Sequence, residues 1–205
     1  MSPDRAVEQD LARVWGRIAG MDEVGRGALA GPVCVGVVVV EEEMPPPPEG
    51  LTDSKLLTPS KRKTLVEPVQ EWASSWAVGM SSAEEIDRWG LTEALRVAGM
   101  RALEHVGSVG CVLLDGKHNW LGTRDLFDHN TCEVPVVTQV KGDLLCTAVA
   151  AASIVAKVAR DALMEQLPDP GYDWARNKGY GSWAHRQALV RLGPSEYHRK
   201  SWKLI

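Results

Sequence analysis

The sequence has no cysteine pair at the spacing of a metal site or a disulfide framework. Its four cysteines, Cys34, Cys111, Cys132 and Cys146, stand singly, and there is no CxxC or HExxH motif. These absences argue against a zinc site and against a disulfide-stapled scaffold. We therefore expect the four thiols to be reduced and to fill apolar space.

Long apolar runs are also missing. The longest, Val33 to Val40, has eight residues and contains Gly36, whereas a membrane-spanning helix needs about 20. Residues 1–10 carry acids and no apolar block, so no secretory signal is expected. These features predict a cytoplasmic protein without membrane contact.

The 205 residues, 44% apolar and 24% charged, are enough for one globular core. The connection GRGALAG between the apolar runs at 17–25 and 32–40 is too short for a crossover helix, so we expect two antiparallel strands there. Further strands are predicted at 74–82, 111–115 and 134–140. Separated by helices, the later strands favour parallel crossovers. The chain should therefore form an α/β fold with a mixed sheet.

Helices are predicted between and after these strands. Residues 1–15 are expected to form a polar lead-in. One helix should open at Thr58-Pro59, and a second should be capped by Ser82 and interrupted at Gly90. A long alanine-rich helix is predicted over 143–167, and a short one over 183–192. Residues 1–167 are expected to form the main domain, with a helical, basic region at 168–205 packed on it.

Four acids lie within or directly after apolar runs. Asp22 and Glu23 fall in the first predicted strand, Asp115 ends the run CVLLD, and Asp143 begins the long helix. Acids are poor strand formers and need partners when buried. With no histidine or cysteine pair beside them, they suit Mg²⁺ or Mn²⁺. Two such ions stabilise the attacking and leaving oxygens of a displacement at phosphorus.

Two of these acids have alternative interpretations. Neighbouring side chains of a strand point to opposite faces. Glu23 must therefore bend round at the strand end or contribute its backbone carbonyl if it is to serve the same ion as Asp22. Asp143 could instead cap the helix that it begins.

The C-terminal part combines positive charge with aromatic rings. Residues 171–205 carry seven lysines and arginines against Asp173 and Glu196, and they interleave Tyr180, Trp183, Tyr197 and Trp202. Basic groups neutralise phosphates and rings stack on bases or sugars, so the segment favours contact with a polyanion. Gly25 and Gly27 would let the backbone approach a ligand, with Arg26 on a phosphate.

Assembled in order, these blocks resemble the ribonuclease HII family. The matching segments are GMDEVGRGALAGPVCVGVVV, LTDSKLLTPSKR, EEIDRWGLTEA, LLDG, VKGD followed by AAASIVAKVARD, and NKGYGSWAH with PSEYHRKSW. The resemblance implies a ribonuclease H-like fold, a mixed five-stranded sheet flanked by helices with a small helical C-terminal region. It also implies an endoribonuclease that cuts RNA/DNA hybrids and ribonucleotides embedded in duplex DNA, with residues 1–167 as the catalytic domain and residues 168–205 as the substrate-binding region.

The resemblance also assigns residues. Asp22, Glu23, Asp115 and Asp143 would be the catalytic carboxylates that hold two Mn²⁺ or Mg²⁺ ions. We expect Asp22 to bridge both ions, with Asp143 on the side of the nucleophile and Asp115 on that of the leaving group. The implied substrate-binding set is Gly25, Arg26 and Gly27, which would read the 2′-hydroxyl with Tyr180, together with Lys178, Ser182 and His185.

The sequence departs from the family pattern at two places. Ser182 stands where the KGYG block usually continues with threonine, which keeps a hydroxyl. The chain ends shortly after HRKSW, so we expect no tail for a replication clamp. We also expect a monomer with no obligate protein partner. Two alternatives remain open: a DNA-junction nuclease of the same superfamily, and a nucleic-acid-binding module without catalysis.

Overall fold

A five-stranded mixed sheet forms the centre of the molecule, seen in a computed structural model that describes residues 3–122 and 132–205. The strands are β1 (Ile18–Val24), β2 (Val33–Val40), β3 (Ser75–Ser81), β4 (Cys111–Asp115) and β5 (Val136–Gln139), in the order β3-β2-β1-β4-β5. β1, β2 and β3 pair antiparallel, while β4 runs parallel to both β1 and β5. The predicted α/β fold class and the mixed sheet are confirmed.

Eight α-helices surround the sheet within the described residues. They are α1 (Ala6–Trp15), α2 (Pro59–Trp72), α3 (Ala83–Trp89), α4 (Leu91–Val106), α5 (Gly142–Leu145), α6 (Thr147–Gln166), α7 (Trp174–Asn177) and α8 (Trp183–Leu192). A short 3-10 helix covers Ser54–Leu56. Within the part of the chain that the structure describes, no helix is both long and apolar enough to cross a bilayer.

The two faces of β1 bury two different cores, as strand alternation requires. Ile18 packs with the alanines of α6, and Ala19 and Met21 pack with those of α4. Glycines on the α6 side allow a close approach, since a Cβ at Gly20 would lie 2.5 Å from the Cβ of Ala148. Helix α6 therefore lies almost on the backbone of β1 and β2, with its first turn beside Gly20 of β1.

Two predicted elements differ from the structure. Residues 6–15 are not a polar lead-in but helix α1, because Ala12 and the carboxylate of Glu8 are buried against the main body. The helix expected over 143–167 is divided into α5 and α6, because Cys146 between them is extended. Glu8 Oε1 accepts the N–H of Ala148 at 2.8 Å and so serves the first turn of α6. The break at Gly90 and the cap at Ser82 are confirmed.

A third apolar cluster joins the C-terminal region to the rest of the molecule. Tyr172, Trp174 and Leu189 pack with Leu29 and Met164, which come from the β1–β2 connection and from α6. The C-terminal region therefore lies against the loop that follows β1, which is the loop that carries Gly25, Arg26 and Gly27.

Candidate active site

Three of the predicted acids meet at one edge of the sheet. β1 and β4 are parallel neighbours, with Met21 opposite Leu114, so Asp22 and Asp115 follow side by side. β5 pairs with β4 so that Gln139 lies opposite Asp115, and the chain then turns into α5, which carries Asp143. The carboxyl ends of parallel strands are where open α/β sheets commonly bind ligands.

Each of the four carboxylates is held by a protein donor. Asp22 Oδ1 accepts the N–H of Glu23 at 2.8 Å, and Asp115 Oδ1 accepts the N–H of Gly142 at 2.7 Å. Glu23 Oε1 pairs with Arg26 Nη1 at 3.2 Å, and Asp143 Oδ2 pairs with the ammonium of Lys55 at 2.9 Å. Because a carboxylate has about four acceptor sites, each group retains lone pairs for a cation.

Burial and repulsion between the acids raise the pKa of three of the four carboxyl groups. Burial raises the pKa of Asp22 well above its usual value, and the charges of Glu23, Asp115 and Asp143 raise it further. Burial also raises the pKa of Glu23 and of Asp115, with Asp143 adding to the shift of Asp115. Like-charged carboxylates gathered in one buried place need a compensating cation.

In this structure the compensating cation is Lys55. Desolvation acts to lower its pKa, but the hydrogen bond to Asp143 and the charge of Asp22 outweigh it, so the pKa of Lys55 is raised. Its ammonium also lies 3.6 Å from Asp53. Sequence reasoning placed Lys55 in the block LTDSKLLTPSKR but gave it no role. The only local signal was Asp53 two positions before it, because Asp143 lies 88 positions further along the chain.

The alternative interpretation of Asp143 as a helix cap is wrong. Asp143 is the second residue of α5, no side chain caps that helix, and the first turn of α6 is served by Glu8. For Glu23, the carboxylate is one of the charges that raise the pKa of Asp22. This favours a contribution through the side chain, at the strand end where Gly25 turns the chain with φ 85°.

The donor set suits a hard divalent cation, although it is not closed around one. Across residues 3–122 and 132–205, no group of three or more His, Cys, Asp or Glu side chains forms a ready-made metal site. The oxygens of four carboxylates are nevertheless the ligands that Mg²⁺ and Mn²⁺ prefer. Binding would require the contact between Lys55 and Asp143 to adjust.

The predicted substrate-binding residues lie in two adjoining loops. Arg26 and Gly27, three and four positions after Glu23, are exposed, and Gly25 is buried. Tyr180 lies beside α6, with its ring centroid 5.4 Å from Arg160 Cζ and 5.7 Å from Lys157 Nζ. Gly25 also adjoins Arg160, because a Cβ there would lie 2.8 Å from Arg160 Cδ. Arg160 therefore connects the two loops.

Three residues of the predicted substrate-binding set have structural partners. The Lys178 ammonium pairs with Glu165 at 2.8 Å, and Ser182 is exposed and caps α8. His185 is fully buried, with Nδ1 2.9 Å from the carbonyl of Tyr180 and Nε2 3.0 Å from His198 Nε2. The interpretation of His185 as a group that touches substrate is therefore corrected: its ring supports the loop that carries Tyr180.

Comparison with known proteins places the chain in a sequence family. The family model described as Ribonuclease HII matches residues 19–205. The curated relatives include a ribonuclease HII of Streptomyces avermitilis, 47% identical over 99% of this chain and 84% of that protein. Another is a ribonuclease HII of Paracoccus denitrificans, 45% identical over 98% of this chain and 91% of that protein.

Solved structures show the same fold at lower identity. The ribonuclease H2 of Pyrococcus horikoshii superposes with a TM-score of 0.68 at 24% identity, covering 92% of this chain and 94% of that one. A complex of PCNA with the ribonuclease HII of Archaeoglobus fulgidus gives 0.68 at 24%, over 92% and 96%. A Bst ribonuclease HIII with Mn²⁺ gives 0.68 at 18%, over 94% and 70%. These three likenesses confirm the ribonuclease H-like architecture.

Proposed function

The chain belongs to the ribonuclease HII family and is an endoribonuclease, and we propose that it cuts both RNA/DNA hybrids and single ribonucleotides embedded in duplex DNA. The products would be 3′-hydroxyl and 5′-phosphate ends, and the cellular role would be removal of ribonucleotides and RNA primers in the cytoplasm. The observation that carries this proposal is the meeting of Asp22, Asp115 and Asp143 at one sheet edge beside the loop of Gly25, Arg26 and Gly27.

Asp22, Glu23, Asp115 and Asp143 would hold two divalent ions, Mg²⁺ or Mn²⁺. Bound there, the ions would supply Lewis-acid activation of water and neutralisation of charge on the scissile phosphate. The printed description of the Bst ribonuclease HIII neighbour, a complex with Mn²⁺, is consistent with this choice of ion.

The chain's own groups would bind and orient the substrate. The exposed guanidinium of Arg26, 3.2 Å from Glu23 Oε1, would bind a phosphate next to the carboxylates. The exposed backbone at Gly27, where a Cβ would meet no atom within 4 Å, leaves room for a sugar. Reading of the 2′-hydroxyl by this loop and Tyr180 would separate RNA from DNA, because that hydroxyl is the group by which they differ.

The test is digestion of a labelled DNA duplex that carries one ribonucleotide, with Mg²⁺, Mn²⁺ or chelator. We expect one cut at the ribonucleotide with either metal and none with chelator. A matched all-DNA duplex should remain uncut, and the Asp143→Asn variant should not cut the ribonucleotide-containing duplex. Cleavage of a four-way DNA junction without ribose would replace the proposal by a junction nuclease, and salt-dependent binding without any cleavage in Mn²⁺ would leave only a binding module.

A clamp partner is not part of the proposal. The PCNA complex is that of the Archaeoglobus fulgidus protein, and a clamp contact is not transferred from it to this chain. The activity proposed here requires only the nucleic acid and the metal.

A further inference from the structure

Two buried arginines hold the backbone of the loop between β1 and β2. Arg199 donates to the carbonyls of Gly25 at 2.7 Å and Arg26 at 2.9 Å, and twice to that of Gly31, at 3.1 and 3.2 Å. Arg160 donates to Pro32 at 2.8 Å and Ala30 at 3.1 Å. Most of the carbonyls between residues 25 and 32 are therefore fixed by guanidinium groups.

Among the residues that the structure describes, no acid pairs with either arginine to explain its burial. Both side chains are 0% exposed, and within residues 3–122 and 132–205 neither forms an ion pair with a carboxylate. Burial, reinforced by the charge of Arg160, lowers the pKa of Arg199 to about 10. Burying such a charge is costly unless hydrogen bonds compensate it. The compensation here comes from the loop carbonyls.

The segment that carries Arg199 also pairs with the loop through its backbone. Arg199 N–H donates to Leu29 O at 2.9 Å, and Gly31 N–H donates to Tyr197 O at 2.8 Å. The next residues are anchored from outside, because Asp87 of α3 accepts the N–H groups of Lys200 at 2.7 Å and Ser201 at 3.0 Å. The C-terminal segment 197–201 is thus fixed between the loop and α3.

Arg160 extends the same network to the second substrate loop. Its Nη1 donates to Lys178 O at 2.9 Å, and its guanidinium adjoins the Tyr180 ring. The N–H of Leu29 in turn donates to Gly179 O at 2.8 Å. If the loop that follows β1 moved, the positions of Gly25, Arg26 and Gly27 relative to Tyr180 would therefore change.

From these contacts we infer that Arg199 is a positioning residue: the C-terminal segment uses its buried guanidinium to fix the loop of Gly25, Arg26 and Gly27 in the geometry that reads the ribose. The inference rests on the proposed function for the identity of the ligand. It replaces the sequence-based assignment of this part of the basic tail to phosphate contact, because a fully buried guanidinium does not reach a polyanion.

The experiment compares Arg199→Lys and Asp87→Ala with the control Lys200→Ala in the full chain. Lysine keeps the charge of Arg199 but does not present the planar fork that serves three carbonyls. Asp87→Ala loosens the segment from outside without touching the loop. Lys200→Ala removes a neighbouring exposed charge and keeps the backbone N–H that Asp87 accepts.

We expect Arg199→Lys and Asp87→Ala to lower kcat on the single-ribonucleotide duplex by about tenfold to a hundredfold, as loss of positioning does. KM and the Kd for an all-DNA duplex of the same sequence should stay within about twofold of the wild type, as the loss lies in positioning and not in charge. Lys200→Ala should keep the wild-type kcat. If Arg199→Lys and Asp87→Ala both keep the wild-type kcat, the inference is overturned and Arg199 has no positioning role. If they weaken the Kd and Lys200→Ala weakens it equally, the inference is overturned in favour of a phosphate contact.

Amide hydrogen exchange provides a readout that does not depend on activity. The N–H groups of Leu29, Ala30 and Gly31 should exchange faster in Asp87→Ala than in the wild type and in Lys200→Ala. If the wild type cuts no ribonucleotide, the proposed function fails while this measurement still tests the mechanical link. If Arg199→Lys does not fold, Asp87→Ala decides, and unchanged exchange at all three amides refutes the link.

Discussion

Gly25 and Gly27 should respond very differently to the same added methyl group. Gly25 has φ 85°, and its Cβ would lie 2.8 Å from both Cδ and Cζ of Arg160 and closer still to Nε. Gly27 has no positive φ, is exposed, and its Cβ would meet nothing within 4 Å. Gly25→Ala therefore tests the packing that this loop requires, and Gly27→Ala tests its contact with substrate.

The cost of Gly25→Ala follows from two contributions. An L-residue in the left-handed region costs about 1–2 kcal/mol. The methyl group must also displace Arg160, which breaks at least its 2.8 Å hydrogen bond to Pro32 O, and a hydrogen bond to a charged group contributes about 1.5–3 kcal/mol. The sum is about 2.5–5 kcal/mol, which for a chain of this size lowers Tm by about 5–20 °C.

Gly27→Ala should leave the free energy of unfolding within about 0.5 kcal/mol of the wild type. Its effect should appear in catalysis, with kcat/KM on a single-ribonucleotide duplex falling by about tenfold or more because the methyl group occupies the place of the sugar. The assays are thermal and urea unfolding together with steady-state cleavage. Equal stability of the two variants would refute the placement of Arg160 against Gly25, and full activity of a folded Gly27→Ala would refute the sugar contact.

The charges of the carboxylate site give two further predictions. Lys55→Ala should lower Tm in chelator by at most about 2–4 °C, corresponding to at most about 1 kcal/mol because the lysine is largely exposed, and saturating Mn²⁺ should remove the difference. Asp22→Asn should gain stability over the wild type as pH rises from about 4 to 8 in chelator, measured as the difference in unfolding free energy. The folded-state pKa of Asp22 is raised, so the wild type keeps the stability of the protonated acid below its unfolded pKa and loses it as pH rises through the folded pKa.

Each of these predictions has a control. Lys61→Ala, on the exposed side of α2, should show the same small change with and without Mn²⁺, and a metal-independent loss in Lys55→Ala would contradict the role of its ammonium. In the pH series, the buried His198, whose pKa is lowered to about 4, contributes equally to both proteins and cancels. A stability difference that does not change with pH would show that burial and the neighbouring acids do not raise the pKa of Asp22.

The sequence by itself determined the elements whose signals are local. The β-branched runs around β1 and β2, the short glycine-bearing connection between them and the capped helix at Ser82 are all written in consecutive residues. The four acids could be singled out for the same reason, since a carboxylate at the end of an apolar run is visible without coordinates. Helix α1 was missed because its burial depends on the partner surface that receives Glu8 and Ala12.

Only the tertiary structure decided what surrounds those acids and the loop beside them. Lys55 reaches Asp143 across 88 positions of sequence, and Arg199 reaches Gly25 across 174. A basic residue near the C-terminus has the same appearance in sequence whether it faces solvent or lies buried among carbonyls. Which of the two occurs depends on long-range packing, because the energy of a guanidinium is set by the groups that the fold brings around it and not by its neighbours in the chain.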